Sequence, residues 1–129
     1  MGSNKIIGIG VDIESIQRFR DKPFAENEKF YRRIFTPLEI EYCLSKSDPY
    51  PHFAARFCAK EALKKAVPLD LFLGWKDAEV RNDKNGKPSV HFLTSQQENK
   101  SILEDYIVHT SLSHDKTQAI AFVVVQQGY

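Results

Sequence analysis

The chain has 129 residues, of which 42% are hydrophobic and 27% are charged, values typical of one globular domain that buries a real core. Its formal net charge of +1 argues against the strong positive field that draws proteins to nucleic acid or to anionic membranes. No apolar run approaches the roughly 20 residues of a membrane-spanning helix, and no signal-peptide pattern is seen. We expect a single domain over residues 1–129, located in the cytoplasm, with no nucleic-acid or membrane partner.

The first predicted element is a strand from Lys5 to Ile13, in which β-branched residues are frequent. Gly8 and Gly10 are unfavourable inside a strand and usually mark close approach by a backbone or a ligand. Asp12 stands at the end of this strand, where it either belongs to a functional site or caps the helix that follows. A dinucleotide fingerprint is excluded, because Ile13 stands where the third glycine is required.

Three short helices are predicted next, over residues 14–20, 28–35 and 36–44. The third has a clear start signal, with Thr36 as N-cap, Pro37 at the first helical position and Glu39 at the third. Prolines at positions 49 and 51 interrupt the helical pattern after it.

The longest predicted helix runs from His52 to Val67 and consists mostly of good helix formers. At about 100° per residue, alanines gather on one face that lets another backbone approach closely, namely Ala55, Ala59, Ala62 and Ala66. Glu61 and Lys65 are either an ordinary surface pair, worth about 0.2–0.5 kcal/mol, or part of a site. A basic stripe consists of Arg56, Lys60 and Lys64.

Beyond the proline that ends this helix, the apolar residues of loop 68–77 are expected to fold over the core. Asn85-Gly86 predicts a hairpin. The remaining predicted elements are strands over 78–82 and 88–92, a polar helix over 94–105, and strands over 107–113 and 119–125. The sequence therefore predicts an α+β fold, an antiparallel sheet packed on a long Ala-rich helix, which brings Asp12 towards Glu61.

Asp12 and Glu61 are oxygen ligands that suit Mg²⁺, which takes one or two protein carboxylates together with waters and substrate phosphates. Glu14, two residues beyond Asp12, is a tentative third ligand, directly or through water. The candidate phosphate partners are Arg56, Lys60, Lys65, Lys87 and His114.

Two nucleophile hypotheses are weaker. Ser111 and Ser113 precede His114, but strand neighbours point to opposite faces and no third group orients the histidine. Cys58 inside a helix is typical of a small apolar residue. Cys43 and Cys58 lack zinc-ligand spacing and indicate no disulfide framework, so reduced thiols are expected.

Four segments resemble, in order, the motifs of holo-[acyl-carrier-protein] synthases, the small single-domain type of 4′-phosphopantetheinyl transferase. They are Gly8-Ile9-Gly10-Val11-Asp12-Ile13 followed by Arg18-Phe19, the Arg56–Ala66 segment RFCAKEALKKA, Asn85-Gly86-Lys87-Pro88, and Ser111-Leu112-Ser113-His114. The resemblance covers nearly the whole chain, and four motifs in order are far more specific than one.

The resemblance implies Mg²⁺-dependent transfer of the phosphopantetheine arm of coenzyme A to a serine of an apo acyl carrier protein. Adenosine 3′,5′-bisphosphate is released, and the product serves fatty acid or polyketide biosynthesis. By position, Asp12 and Glu61 match the metal ligands of the family, and Lys65 matches the lysine near the phosphates. His114 matches a coenzyme A contact.

Three further matches follow from the same resemblance. Gly86, Lys87 and Pro88 match a loop that lines the nucleotide, and Arg18 matches an arginine that meets the acidic carrier protein. The small members of the family are homotrimers with active sites between protomers.

The base that takes the serine proton is left open between Glu61, Asp12 through a metal-bound water, and a plain water. A water-relayed route is preferred, because a carboxylate bound to Mg²⁺ is a poor base. Loop 67–77 contains one glycine where the family often has several, and the Asp12-Ile13-Glu14 spacing is like that of the larger two-lobed transferases. The alternatives are a catalytically silent coenzyme A and carrier-protein binding module, and a Mg²⁺-dependent pyrophosphohydrolase.

Overall fold

The computed structural model of the protein describes residues 5–69, 71, 73–93 and 97–128, with the backbone alone for residues 97–100. The elements in chain order are β1 (Ile6–Ser15), α1 (Gln17–Arg20), α2 (Glu28–Ile34), α3 (Pro37–Leu44), α4 (Tyr50–Ala66), β2 (Ala78–Asn82), β3 (Pro88–Phe92), α5 (Gln97–Glu104), β4 (Tyr106–His114) and β5 (Gln118–Gln127). The predicted α+β fold class is confirmed. Among the described residues, no helix has the length and apolar content to cross a bilayer.

Two antiparallel sheets flank α4. The larger sheet has the order β1-β5-β4, and β2 pairs with β3 in a separate hairpin. The inner face of the larger sheet packs on α4 through fully buried side chains of β5, namely Ala119, Ala121, Val123 and Val125. Burying a valine side chain contributes roughly 1.5–3 kcal/mol, so this seam between helix and sheet is a main source of stability.

The closest approach in this seam joins glycines of β1 to alanines of α4. A Cβ atom built on Gly8 would lie 2.0 Å from the Ala66 carbonyl oxygen, and one on Gly10 would lie 1.9 Å from that of Ala62. The prediction that the alanine face admits another backbone is therefore confirmed, and that backbone is β1. Only glycine fits at these two positions of the strand.

The strand β1 is longer than predicted, and this changes the setting of Asp12. Asp12 pairs with Ala121, and the ladder continues to Ser15 opposite Gln118. The interpretation of Asp12 as a helix cap is wrong, since Ile16 occupies that position before α1. The long partner strand β5 supplies hydrogen bonds to residues 13–15 that a short helix would otherwise have to supply.

Local signals elsewhere are confirmed. Thr36 and Glu39 form a reciprocal capping box at the start of α3, and Gly86 has the positive φ of 86° that the β2–β3 turn requires. The longest helix begins at Tyr50 rather than His52, because a proline in the first helical turn lacks only an N–H that would be unpaired there.

Loop 67–77 follows its prediction in part. Leu71 and Leu73 are buried as expected, whereas Leu69 is fully exposed. Phe72 and the predicted helix start at 94–96 lie outside the described residues.

Candidate active site

Asp12 lies on the face of β1 that packs against α4. Lys65 extends from the helix to donate a hydrogen bond to the Val11 carbonyl at 2.9 Å, and its Nζ lies 3.5 Å from Asp12 Oδ1. The side chain of Asp12 is 12% exposed, and its Oδ2 is buried with no hydrogen-bond partner among the described residues. A buried acceptor of this kind calls for a partner, and a carboxylate oxygen is a donor atom that Mg²⁺ prefers, so the site fits that ion.

Glu61 lies on the same side of α4, one turn after Cys58 and one turn before Lys65. Both of those neighbours are close to the carboxylates of β1. Lys65 contacts Asp12 as described, and Cys58 donates to the carbonyl of Ala119, the residue that pairs with Glu14. Burial, and then the charges of Asp12 and Glu14, raise the pKa of the Cys58 thiol. The ion-pair partner of Glu61 is Lys64, at 3.7 Å. The predicted Glu61–Lys65 pair is therefore wrong, because Lys65 turns to β1 instead.

Glu14 shares the inner face of β1 with Asp12, and the Arg18 Nη1 lies 3.0 Å from its carboxylate. Burial, followed by the neighbouring Asp12 carboxylate, raises the pKa of Glu14. Within the described ranges, no group of three or more His, Cys, Asp or Glu side chains is arranged to hold a metal ion. The part of the chain that the structure describes does not by itself assemble a three-carboxylate centre, and Glu14 as a metal ligand stays a prediction.

Lys60 is placed in the interior and not at the site. It is 4% exposed, and its Nζ lies 3.0 Å from Glu39 Oε1 and donates to the carbonyls of Trp75 and Ala78 at 2.8 and 2.7 Å. An ammonium has three hydrogens to donate, and three oxygens surround this one. The expectation that Lys60 contacts a phosphate is corrected, because its partners are already inside the fold.

Arg56 is also buried, at 2% exposure. Its guanidinium stacks over the Tyr42 ring at 4.2 Å and donates to the His52 carbonyl and to the Asn82 side chain. Asn82 in turn donates to the Gly86 carbonyl at 3.0 Å. Arg56 therefore ties the turn that carries Gly86, Lys87 and Pro88 to the first half of α4. Of the predicted basic stripe, Arg56 and Lys60 are buried and Lys64 is part-exposed.

His114 ends β4, and its ring lies beside His52, close to the cations Lys46 and Arg56. Its ring centroid lies 5.8 Å from that of His52, and Lys46 lies 4.7 Å from the Tyr42 ring that also stacks on Arg56. Burial and then the nearby Arg56 lower the pKa of His52. Sequence analysis missed His52 and Lys46. The spacing of four between His52 and Arg56 was the available signal, and nothing local indicated Lys46.

The carboxylates near Glu14 and the residues around His114 lie at the same end of the larger sheet. Glu14 and His114 both pair with Ala119, from opposite sides of β5, which places them two strands, or roughly 10 Å, apart on the same face. A cavity of about 480 Å³ opens beside His114. Ser113 instead pairs with Ile120 on the outer face, which removes the support for a Ser–His nucleophile.

A row of side chains runs from Arg18, the partner of Glu14, to Lys64, the partner of Glu61. Arg18 lies 4.9 Å from the Phe57 ring centroid, Phe57 stacks on Trp75 at 5.1 Å, and Lys64 lies 3.4 Å from the Trp75 ring centroid. We call these four residues the cation–aromatic row. Sequence analysis identified Arg18 as a site residue and named Lys64 only in the basic stripe. It did not connect the two, since the contact between Phe57 and Trp75 joins residues that are 18 positions apart.

Comparison with known proteins identifies the class of enzyme to which this α+β fold belongs. Residues 8–123 match the family described as the 4′-phosphopantetheinyl transferase superfamily. The chain therefore belongs to the 4′-phosphopantetheinyl transferase superfamily and is a transferase.

Individual relatives resemble the chain over nearly its full length. It is 43% identical to the holo-[acyl-carrier-protein] synthase of Geobacter sp. (strain M21), over 95% of this chain and 99% of that one. The corresponding values for the Thermodesulfovibrio yellowstonii synthase are 41%, 93% and 98%. The crystal structure of a holo-(acyl-carrier-protein) synthase from Bacillus anthracis str. Ames in complex with CoA (3′,5′-ADP) matches with a TM-score of 0.76 and 35% identity, over 95% and 98% of the two chains. The predicted family resemblance is confirmed.

Proposed function

We propose that the protein transfers the 4′-phosphopantetheine group of coenzyme A to a serine of an apo acyl carrier protein, requires Mg²⁺, and releases adenosine 3′,5′-bisphosphate. The observation that carries the proposal is the placement of Asp12, with one buried carboxylate oxygen unpaired among the described residues and Lys65 beside the other. Relatives named as synthases of this kind support it.

In this proposal, Asp12 and Glu61 hold the metal ion, which when bound lowers the cost of the charge that develops on the pyrophosphate. Lys65 presents an ammonium at the same place, and its bond to the Val11 carbonyl fixes the direction of its side chain. Catalysis of phosphoryl transfer rests mostly on positioning and charge stabilisation. These residues stand on a paired strand and a packed helix, which keep that geometry.

Coenzyme A is proposed to bind between the Gly86-Lys87-Pro88 turn and the cations around His114. Because the chain is nearly neutral, an anion site must come from local charge. Lys46 and Arg56 supply that charge, and His52 and His114 lie beside them. Arg56 acts chiefly by holding the turn through Asn82.

The acyl carrier protein is proposed to meet the cation–aromatic row. Arg18 and Lys64 are part-exposed cations at its two ends, and they complement an acidic partner. We place the reaction in fatty acid or polyketide biosynthesis, in a cytoplasmic protein whose residues 1–129 form one domain. The buried free thiols Cys43 and Cys58 are consistent with a reducing compartment.

We further propose a homotrimer with active sites between protomers. The support is the outer face of the larger sheet, which exposes a set of large apolar side chains, namely Ile9, Val11, Ile13, Ile107, Ile120 and Phe122. Contiguous apolar surface of this kind marks an interaction site. In sedimentation velocity, the protein should behave as a trimer and Phe122→Glu as a smaller species; a monomeric parent protein would contradict this proposal.

The transfer itself is tested by incubating the protein with an apo acyl carrier protein, coenzyme A and Mg²⁺. Intact-mass spectrometry should show a gain equal to the phosphopantetheine group, with equimolar adenosine 3′,5′-bisphosphate, and EDTA should abolish both. Tight coenzyme A binding without a mass gain would identify a silent binding module. Release of adenosine 3′,5′-bisphosphate without a carrier protein would identify a hydrolase.

A further inference from the structure

Each carboxylate of the candidate site already has a side-chain cation of its own. The three pairs are Asp12 with Lys65 at 3.5 Å, Glu14 with Arg18 at 3.0 Å, and Glu61 with Lys64 at 3.7 Å. Three carboxylates and three cations cancel in formal charge. A divalent cation that approaches these oxygens therefore competes with cations of the chain itself, and meets no net negative field.

Lys64 is the cation best placed to change partners. Its ammonium lies 3.4 Å from the centroid of the Trp75 ring while it pairs with Glu61, so it has two attractive neighbours. Trp75 is held from two sides, since its ring stacks on Phe57 and its carbonyl accepts from Lys60. Lys64 can leave Glu61 and still keep the aromatic contact.

Lys65 can likewise leave Asp12 and keep a second contact. Its Nζ donates to the Val11 carbonyl at 2.9 Å, whereas its contact with Asp12 is longer, at 3.5 Å. About half of its side chain is exposed. An oxyanion such as a pyrophosphate would give both ammonium groups a charged partner. Each lysine that turned to the phosphates would free one carboxylate oxygen for a metal.

We propose that Lys64 and Lys65 neutralise Glu61 and Asp12 when no metal ion is bound, so that Mg²⁺ binds weakly to the protein alone and tightly together with coenzyme A. The inference rests on the proposed function, because it needs coenzyme A as the ligand that draws the lysines away. Coupling between two ligands is reciprocal, so Mg²⁺ raises the affinity for coenzyme A by the same factor.

Lys64 is the residue on which to test this idea, because it pairs with Glu61 alone and its replacement leaves the Lys65–Asp12 pair in place. Lys64→Met removes the ammonium and keeps an unbranched stem. The affinity of the protein alone for a divalent cation should rise by about fivefold, the lower end of ordinary coupling factors, and the coupling to coenzyme A should shrink by the same factor. Lys64→Arg, which keeps the charge, should resemble the parent protein, and Lys76→Met serves as an exposed control on the neighbouring loop.

The measurement is Mn²⁺ binding by electron paramagnetic resonance, for protein alone and for protein saturated with coenzyme A, with a coenzyme A blank subtracted. Circular dichroism confirms that each variant is folded. Equal Mn²⁺ affinity of the parent protein with and without coenzyme A would overturn the inference, and so would unchanged or lower affinity of Lys64→Met alone. No carrier protein or turnover enters this measurement, so a protein that transfers the group without such coupling refutes the inference alone.

Discussion

Lys60 and Lys64 lie one turn apart on α4, yet their surroundings differ in every respect. The side chain of Lys60 is 3% exposed and meets a buried carboxylate, whereas that of Lys64 is 38% exposed and pairs with a carboxylate at the surface. A buried ammonium needs all of its hydrogen bonds and cannot exchange them without a large cost. A surface pair is worth little, so it is free to change partners. Burial, and not residue type, therefore decides that Lys60 stabilises the fold and that Lys64 belongs to the candidate site.

A second difference along α4 concerns what each group of residues holds. Arg56 and Lys60 hold the β2–β3 hairpin, through Asn82 and the Ala78 carbonyl. Ala62 and Ala66 hold β1, whose glycines pack against them. The first pair therefore positions the turn that we propose for the nucleotide, and the second pair positions the strand that carries Asp12.

The largest expected effect falls on the two carboxylates that we propose as metal ligands. Asp12→Asn and Glu61→Gln should each lower kcat/KM for transfer by about 1,000-fold, because loss of metal-centred charge stabilisation costs several kcal/mol of the barrier. Thermal unfolding should stay close to that of the parent protein. Steady-state assays over a range of Mg²⁺ concentrations measure the effect, with the exposed Glu26→Gln as control. Near-normal rates in either variant would refute the metal assignment.

Next in size is the effect of removing the buried cation of Lys60. Lys60→Met should reduce the free energy of unfolding by about 3–5 kcal/mol, because it leaves the Glu39 carboxylate buried without its cation, whereas Lys64→Met should cost less than about 1 kcal/mol. Urea unfolding followed by circular dichroism gives both values.

A second variant separates the loss of charge pairing from the loss of packing. Lys60→Met combined with Glu39→Gln should recover part of the stability, since the amide that replaces the carboxylate is neutral and its oxygen can still accept from the Val80 N–H. If Lys64→Met were as damaging as Lys60→Met, the contrast between the buried and the exposed lysine would fail.

A smaller effect is expected at the outer end of the cation–aromatic row. Arg18→Ala should raise the KM for the acyl carrier protein by roughly tenfold, which corresponds to about 1.4 kcal/mol, and leave the KM for coenzyme A unchanged. Varying each substrate at saturation of the other measures this, with the exposed Arg33→Ala as control. A rise confined to the coenzyme A KM would move Arg18 from the carrier surface to the nucleotide site.

The smallest effect is a pH dependence of stability. Burial, then Arg56, lower the pKa of His52 from its ordinary 6.5, so the unfolded chain binds the proton more readily than the folded one. His52 therefore costs stability as the pH falls below 6.5, and that contribution is absent at higher pH. The free energy of unfolding of His52→Gln should decline less than that of the parent between neutral and mildly acidic pH. Parallel declines would show that the pKa of His52 is not lowered in the folded protein.

The sequence by itself determined the features that depend on neighbouring residues. Thr36 and Glu39 form their capping box within one turn, Gly86 provides the left-handed residue of its own hairpin, and the alanine face follows from helical periodicity alone. The family motifs likewise lie within short segments, which is why the class of enzyme was predictable from the residues.

Only the tertiary structure decided which charges are buried and which are paired. Asp12 lies within a strand because β5 continues the ladder past it, and Lys60 is interior because Glu39, Trp75 and Ala78 close around it. Lys65 pairs with Asp12, and Glu61 pairs with Lys64, because β1 packs beside the end of α4 that carries Lys65. The free energy of a charged side chain depends on its desolvation and on partners far away in the chain, and helical spacing contains neither.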